Sequence, residues 1–88
     1  MASYSSHTGL SPADAVVIGA PDEMVGVAME YAWLERALGR RGPDWDLAMQ
    51  ALLHEDGRTY DRLDVELTDG TRRSYYFDIT GFFGRLGA

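Results

Sequence analysis

Residues 60–80, YDRLDVELTDGTRRSYYFDIT, decide the fold. Leu63, Val65 and Leu67 alternate with Arg62, Asp64 and Glu66, and beyond Asp69-Gly70 the residues Tyr75, Phe77 and Ile79 alternate with Tyr76 and Asp78. Period-two alternation on both sides of an Asp-Gly pair is the pattern of an antiparallel hairpin with one buried face. Paired strands must show their apolar sets to the same side, and this requirement selects the loop. A two-residue Asp69-Gly70 loop would set Leu63, Val65 and Leu67 against Tyr76, Ser74 and Arg72. A three-residue loop, Thr68-Asp69-Gly70 with Gly70 left-handed, instead sets Leu63 against Tyr75 and Glu66 against Arg72, and is the expected arrangement.

Asp56-Gly57 offers the same turn chemistry upstream. The segment before it has a helix-forming composition, yet Trp45, Leu47, Met49, Ala51 and Leu53 alternate with Asp46, Ala48, Gln50 and Leu52. Strand is the expectation, because a second three-residue loop, Glu55-Asp56-Gly57, aligns Met49 with Leu63, Leu47 with Val65 and Trp45 with Leu67. This register leaves Asp46 opposite Glu66, a like-charge pair. The strands are expected near 45–54, 58–68 and 71–80.

Upstream, Pro21-Asp22-Glu23 opens a helix expected over 22–39, with acids at the positive end of its dipole, Arg36, Arg40 and Arg41 near the other end, and Gly39 and Gly42-Pro43 as stops. At 100° per residue Met24, Val27, Ala28, Tyr31, Leu34 and Leu38 share one face, predicted to meet the sheet. Met29 and Trp33 then stand on the far side. The resulting class is α+β, one helix packed on a three-stranded antiparallel meander (α-β-β-β). Residues 15–88 form a single domain, and the Ser-rich residues 1–14 read as a flexible N-terminal tail. Ala15 to Ile18 suits either a short strand or a short helix with Ser11 as N-cap and Pro12 at the first helical position. Gly81-Phe82-Phe83-Gly84 is expected to fold back over the open end of the core.

With 88 residues the chain has room for one core. Hydrophobic residues make up 45% and charged residues 25%, so the chain has the means to fold. It has no cysteine, which excludes disulfides, thiolate metal sites and a cysteine nucleophile. Fourteen acids against eight basic residues give a net charge of -6, which disfavours nucleic acid and anionic membrane surfaces as partners. All the basic residues are arginine, and Lys and Asn are absent, a usage associated with GC-rich bacterial coding. The first residues carry no charged secretory n-region, and the apolar run Ala15 to Ile18 is too short for a membrane span of about 20 residues, so a cytoplasmic location is expected.

No motif names a reaction. His7 and His54 are the only histidines and lack metal-ligand spacing, so neither metal nor cofactor is expected. Hydroxyl nucleophile signatures and phosphate-cradling glycines are likewise missing. Three function classes remain. The favoured one is a non-catalytic protein-interaction or assembly module, self-associating as a homodimer. Its surface would be the outer sheet face, with Tyr60, Arg62, Tyr76 and Leu52, or the helix face bearing Met29 and Trp33. A second is a small ligand-binding protein or enzyme whose helix–sheet cleft is lined by Asp61, Tyr75 and Tyr31. Asp61 draws attention because its parity puts a carboxyl on the apolar face, near Ala51 and Phe77. The third is a single-stranded RNA platform built from outward Tyr and Arg side chains, which the acids Asp64 and Glu66 interrupt.

Overall fold

The computed structural model describes residues 3–4 and 7–84. In chain order it contains β1 (Ser3–Tyr4), a 3-10 turn (Pro12–Asp14), β2 (Val16–Gly19), α1 (Glu23–Leu38), β3 (Trp45–Glu55), β4 (Arg58–Leu67) and β5 (Arg72–Asp78). The architecture is α+β, one helix against a mixed sheet of order β1-β2-β5-β4-β3.

The β4–β5 hairpin has the register that alternation demands, with Leu63 opposite Tyr75 and Glu66 opposite Arg72. Its loop is closed by Gly70 N–H donating to Leu67 O at 2.9 Å, with Gly70 at φ 86°. The β3–β4 hairpin corrects the expectation. Its loop has two residues, Asp56 at φ 52° and Gly57 at φ 77°, and Glu55 pairs with Arg58. Two left-handed residues form the primed turn whose twist matches the flanking strands. That turn shifts β3 by one residue, and a bulge between Leu47 and Met49, with Ala48 as the extra residue, shifts it back. Trp45 therefore still faces Leu67, and Leu47 still faces Val65, but Met49 lies opposite Asp64 and Gln50 opposite Leu63. Asp46 and Glu66 do pair across the strands, and Arg41 and Arg72 stand beside them at 3.0 and 3.3 Å.

The antiparallel meander is only part of the sheet. β2 runs parallel to β5, with Val16 opposite Phe77, and β1 pairs antiparallel with β2. Of the two readings of Ala15 to Ile18 the strand is the one formed, as β2, while the Ser11 side chain caps a separate 3-10 turn at Pro12–Asp14 through Asp14 N–H. Val16 and Ile18 are buried, a stronger reason for a strand than local propensity. Part of the expected tail also meets the sheet, since Tyr76 N–H donates to Gly9 O at 2.6 Å and Gly9 N–H donates to Asp14 O at 2.8 Å. Residues 1–2, 5–6 and 85–88 lie outside the described residues.

Helix α1 starts one residue later than expected, because Asp22 is its N-cap and accepts from Val25 N–H at 3.0 Å. It ends at Gly39, whose carbonyl accepts from the Trp45 indole at 2.8 Å. The face it buries overlaps the predicted one only in part: Leu34 is in the core and Tyr31 and Leu38 pack against it, but the first turns are rotated. Gly26, Glu30 and Leu34 are buried, and Met29 and Trp33 pack against the core, whereas Met24 and Val27 are exposed at 81% and 41%. Apolar residues stand almost all round this helix, so projection alone could not choose an orientation. The choice falls to specific partners. Phe82, returning from the C-terminal segment as expected, fills the space over Gly26, while Trp33 sets its ring edge-on to Tyr75 and Phe77 with centroids 5.5 Å away. Around them Val16, Ile18, Leu34, Trp45, Leu63, Val65, Phe77 and Ile79 complete the core.

Candidate functional site

The parity argument for Asp61 holds: it faces Phe77 across β4 and β5 and is 3% exposed. Across β3 its neighbour is Leu52, not Ala51. A buried carboxylate needs partners, and Asp61 has two. Gln50 donates its side-chain amide to both carboxylate oxygens at 3.0 Å, and Glu30, 1% exposed on α1, hydrogen-bonds it from the helix side. Burial, then the hydrogen bond to Asp61 and its charge, push the Glu30 carboxyl up to about 10, so Glu30 holds its proton at neutral pH and donates. Glu30 Oε1 is left as a buried oxygen without a hydrogen-bond partner. Tyr31 stands within electrostatic reach of both acids beneath Arg41, whose guanidinium lies 5.0 Å from the ring centre, and burial holds its phenol above the ordinary value. Tyr75 is buried against Trp33. The three cleft residues therefore share one side of the sheet, but Asp61 and Tyr75 are sealed from solvent and belong to the packing between helix and sheet.

On the outer face Tyr60, Arg62 and Tyr76 are half-buried, and Arg62 pairs with Tyr76 as expected. Leu52 is not with them. The two-residue loop moves it to the Asp61 side and brings Leu53 opposite Tyr60 in its place. The alternative surface, a far helix face bearing Met29 and Trp33, is not formed, because both are partly buried and pack against the core. Arg62 Nε lies 3.2 Å from Asp64 Oδ1 as an ion pair without a hydrogen bond, and the same oxygen accepts from Ser74 Oγ at 2.6 Å. At the β2 end Arg58 Nε donates to Asp78 at 2.5 Å beside a recess of about 280 Å³ lined by His7, Pro12, Ala13, Ala15, Val17, Arg58, Tyr60 and Asp78. Burial raises the Asp78 carboxyl, but Arg58 and Thr80 outweigh it and hold the group below its ordinary value. Arg41, Arg58, Arg62 and Arg72 each stand beside a carboxylate, which leaves the outer sheet poor in cationic groups available to phosphates.

The remaining feature is the free edge of β3, last in the sheet order. This strand is eleven residues long. Its stretch Leu47 to Leu53, LAMQALL, contains no charge, proline or glycine. Met49 and Leu52 are exposed at 54% and 50%. Sheet edges are ordinarily blunted by charge, proline, bulges or covering segments. Here Arg41 and Gly42 cover the edge at Trp45, with Gly42 N–H donating to Trp45 O at 2.6 Å. The charges of Asp46 and Glu55 stand near the two ends of the strand, and between them the Ala48 bulge is the blunting feature among the described residues. Residues that close a two-residue hairpin exchange both backbone hydrogen bonds, so Glu55, Leu53 and Ala51 direct their N–H and C=O groups toward β4. Gln50, Leu52 and His54 direct theirs outward from the sheet. Sequence reasoning missed Glu30 and Gln50. Asp61 on the apolar face did imply a polar partner, but locating it required the helix orientation and the β3 register.

No protein family, curated protein or solved structure matches the chain. Among the described residues no helix is long and apolar enough to cross a membrane, and no group of three or more His, Cys, Asp or Glu residues is placed to hold a metal ion.

Proposed function

We propose that the chain is a non-catalytic protein-interaction module that engages its partner by strand addition along the free edge of β3. The observation that carries this reading is an eleven-residue edge strand whose central seven residues are uncharged and whose Met49 and Leu52 are half-exposed. Strand addition derives affinity from backbone hydrogen bonds and specificity from alternate side chains, both of which this edge presents. The buried Glu30–Asp61–Gln50 cluster supports the reading by tying the middle of β3 to β4 and α1, which holds the edge in place for docking. A photo-crosslinking residue at position 52, introduced in cells, should yield protein adducts well in excess of the same residue at exposed position 24 on α1. Equal yields at the two positions, or none at 52, overturn the proposal.

A further inference from the structure

We infer that the strand added to β3 is the β3 of a second copy, antiparallel and centred on Leu52. This inference rests on the strand-addition reading and supplies its partner. A two-fold axis perpendicular to the sheet keeps inner residues with inner residues, so paired positions must differ by an even number and the register is limited to a few choices. Among these, centring on Leu52 uses the whole regular part of the strand beyond the Ala48 bulge. It places Leu52 opposite Leu52, Gln50 opposite His54, Ala51 opposite Leu53, and Met49 opposite Glu55.

Three features favour a second copy over a foreign strand. No charged residue meets another charged residue in this register, although each chain carries a net charge of -6. The outward N–H and C=O groups of Gln50, Leu52 and His54 meet the same groups of the partner strand, as a hydrogen-bonded ladder requires. Leu52, half-exposed on the inner face beside Asp61, gains an apolar neighbour in its own counterpart. The product is a continuous sheet with both helices on the same side. A long-range field does not select a different partner for this edge, because Leu47 to Leu53 carries no charge.

The absence of native cysteine allows a direct test. Sedimentation equilibrium of the purified full chain across the micromolar range should report a dimer. Leu52→Lys, which sets two ammonium groups against each other across the axis, should raise the dissociation constant about tenfold or more while leaving the circular dichroism spectrum unchanged. Leu52→Cys should form a covalent dimer under mild oxidation, since directly opposed residues on antiparallel strands lie within disulfide reach, and Met24→Cys should not. A monomer throughout the range, or a dimer indifferent to Leu52→Lys with no preferential Leu52→Cys crosslink, overturns the inference. If position 52 nevertheless captures a different protein in cells, strand addition stands and only the second copy is removed. If it captures nothing, both fall.

Discussion

The Phe82 ring occupies the space that a side chain at Gly26 would fill: a methyl group there would overlap the ring. This contact explains a glycine inside a helix, where alanine would otherwise be favoured by about 1 kcal/mol. Gly26→Ala therefore sets the propensity gain against displacement of a core aromatic that is 1% exposed. Overpacking costs about 1–3 kcal/mol, so the substitution should be destabilising on balance, lowering the melting temperature by several degrees. Pairing it with Phe82→Ala in a double-mutant cycle should show strong coupling, and additive effects would mean that the ring does not rest on Gly26.

Glu30 gives stability a pH dependence whose sign can be worked out. Its carboxyl titrates near the ordinary value of 4.5 in an unfolded chain and at about 10 in the folded one, so the folded state binds the extra proton. Its contribution is complete below pH 4.5 and is lost progressively as pH rises toward 10. In acid the opposite occurs at Asp78, whose lowered carboxyl contributes stability that disappears as pH falls below 3.8 and through its folded value. Glu30→Gln keeps the shape and a donor but cannot ionise. It should differ little from the parent near pH 5 and melt higher by about 5 °C or more near pH 9. Parallel melting curves against pH for the two proteins would remove the buried acid from the account.

Much of the fold is legible from side-chain parity, and its limits are physical. Leu63 opposite Tyr75 follows from alternation on both strands, because a one-residue slip would expose Tyr75 and Phe77. The β3 register at Trp45 and Leu47 is also legible, but for the wrong reason: the expected three-residue loop and the actual two-residue loop plus bulge align these residues identically. They differ only over residues 48–55, and that difference moves Gln50 onto Asp61 and Leu52 off the outer face. The helix orientation is legible only in part: Leu34, Tyr31 and Leu38 of the projected face do meet the core, but hydropathy counts Gly26 and Glu30 as poor core residues when they are in fact buried by Phe82 and Asp61. The parallel pairing of β2 with β5 is a long-range contact that four residues of local pattern do not encode.

Trp33 separates the two possible helix orientations experimentally. On the far side of the helix its removal would change stability by only a few tenths of a kcal/mol, whereas against Tyr75 and Phe77 truncation should cost about 3–5 kcal/mol. Met24→Ala, at a residue that is 81% exposed, should be close to neutral. Denaturant melts of the two variants should therefore differ in midpoint by a wide margin. Equal, small effects would return Trp33 to the surface.

Deletion of Ala48 is the sharpest test of how β3 is built. Ala48 is the extra residue between the pairs Leu47–Val65 and Met49–Asp64. Removing it brings Leu47 directly before Met49, and a single uninterrupted register then runs from the Asp56-Gly57 turn to Trp45 with every cross-strand partner retained. Deletion of Gln50 also cancels the one-residue offset and leaves Leu47 opposite Val65 and Trp45 opposite Leu67, but it brings Met49 opposite Leu63 on the core face and removes the amide that donates to Asp61. The Ala48 deletion should therefore fold, with a midpoint shift within about 1 kcal/mol, while the Gln50 deletion loses several. The Ala48 deletion should also straighten the edge that the bulge twists, so its dimer, or its tendency to form larger assemblies, should increase. An unfolded Ala48 deletion variant would show that the bulge is required by the packing of Trp45 and not merely compensating for the turn.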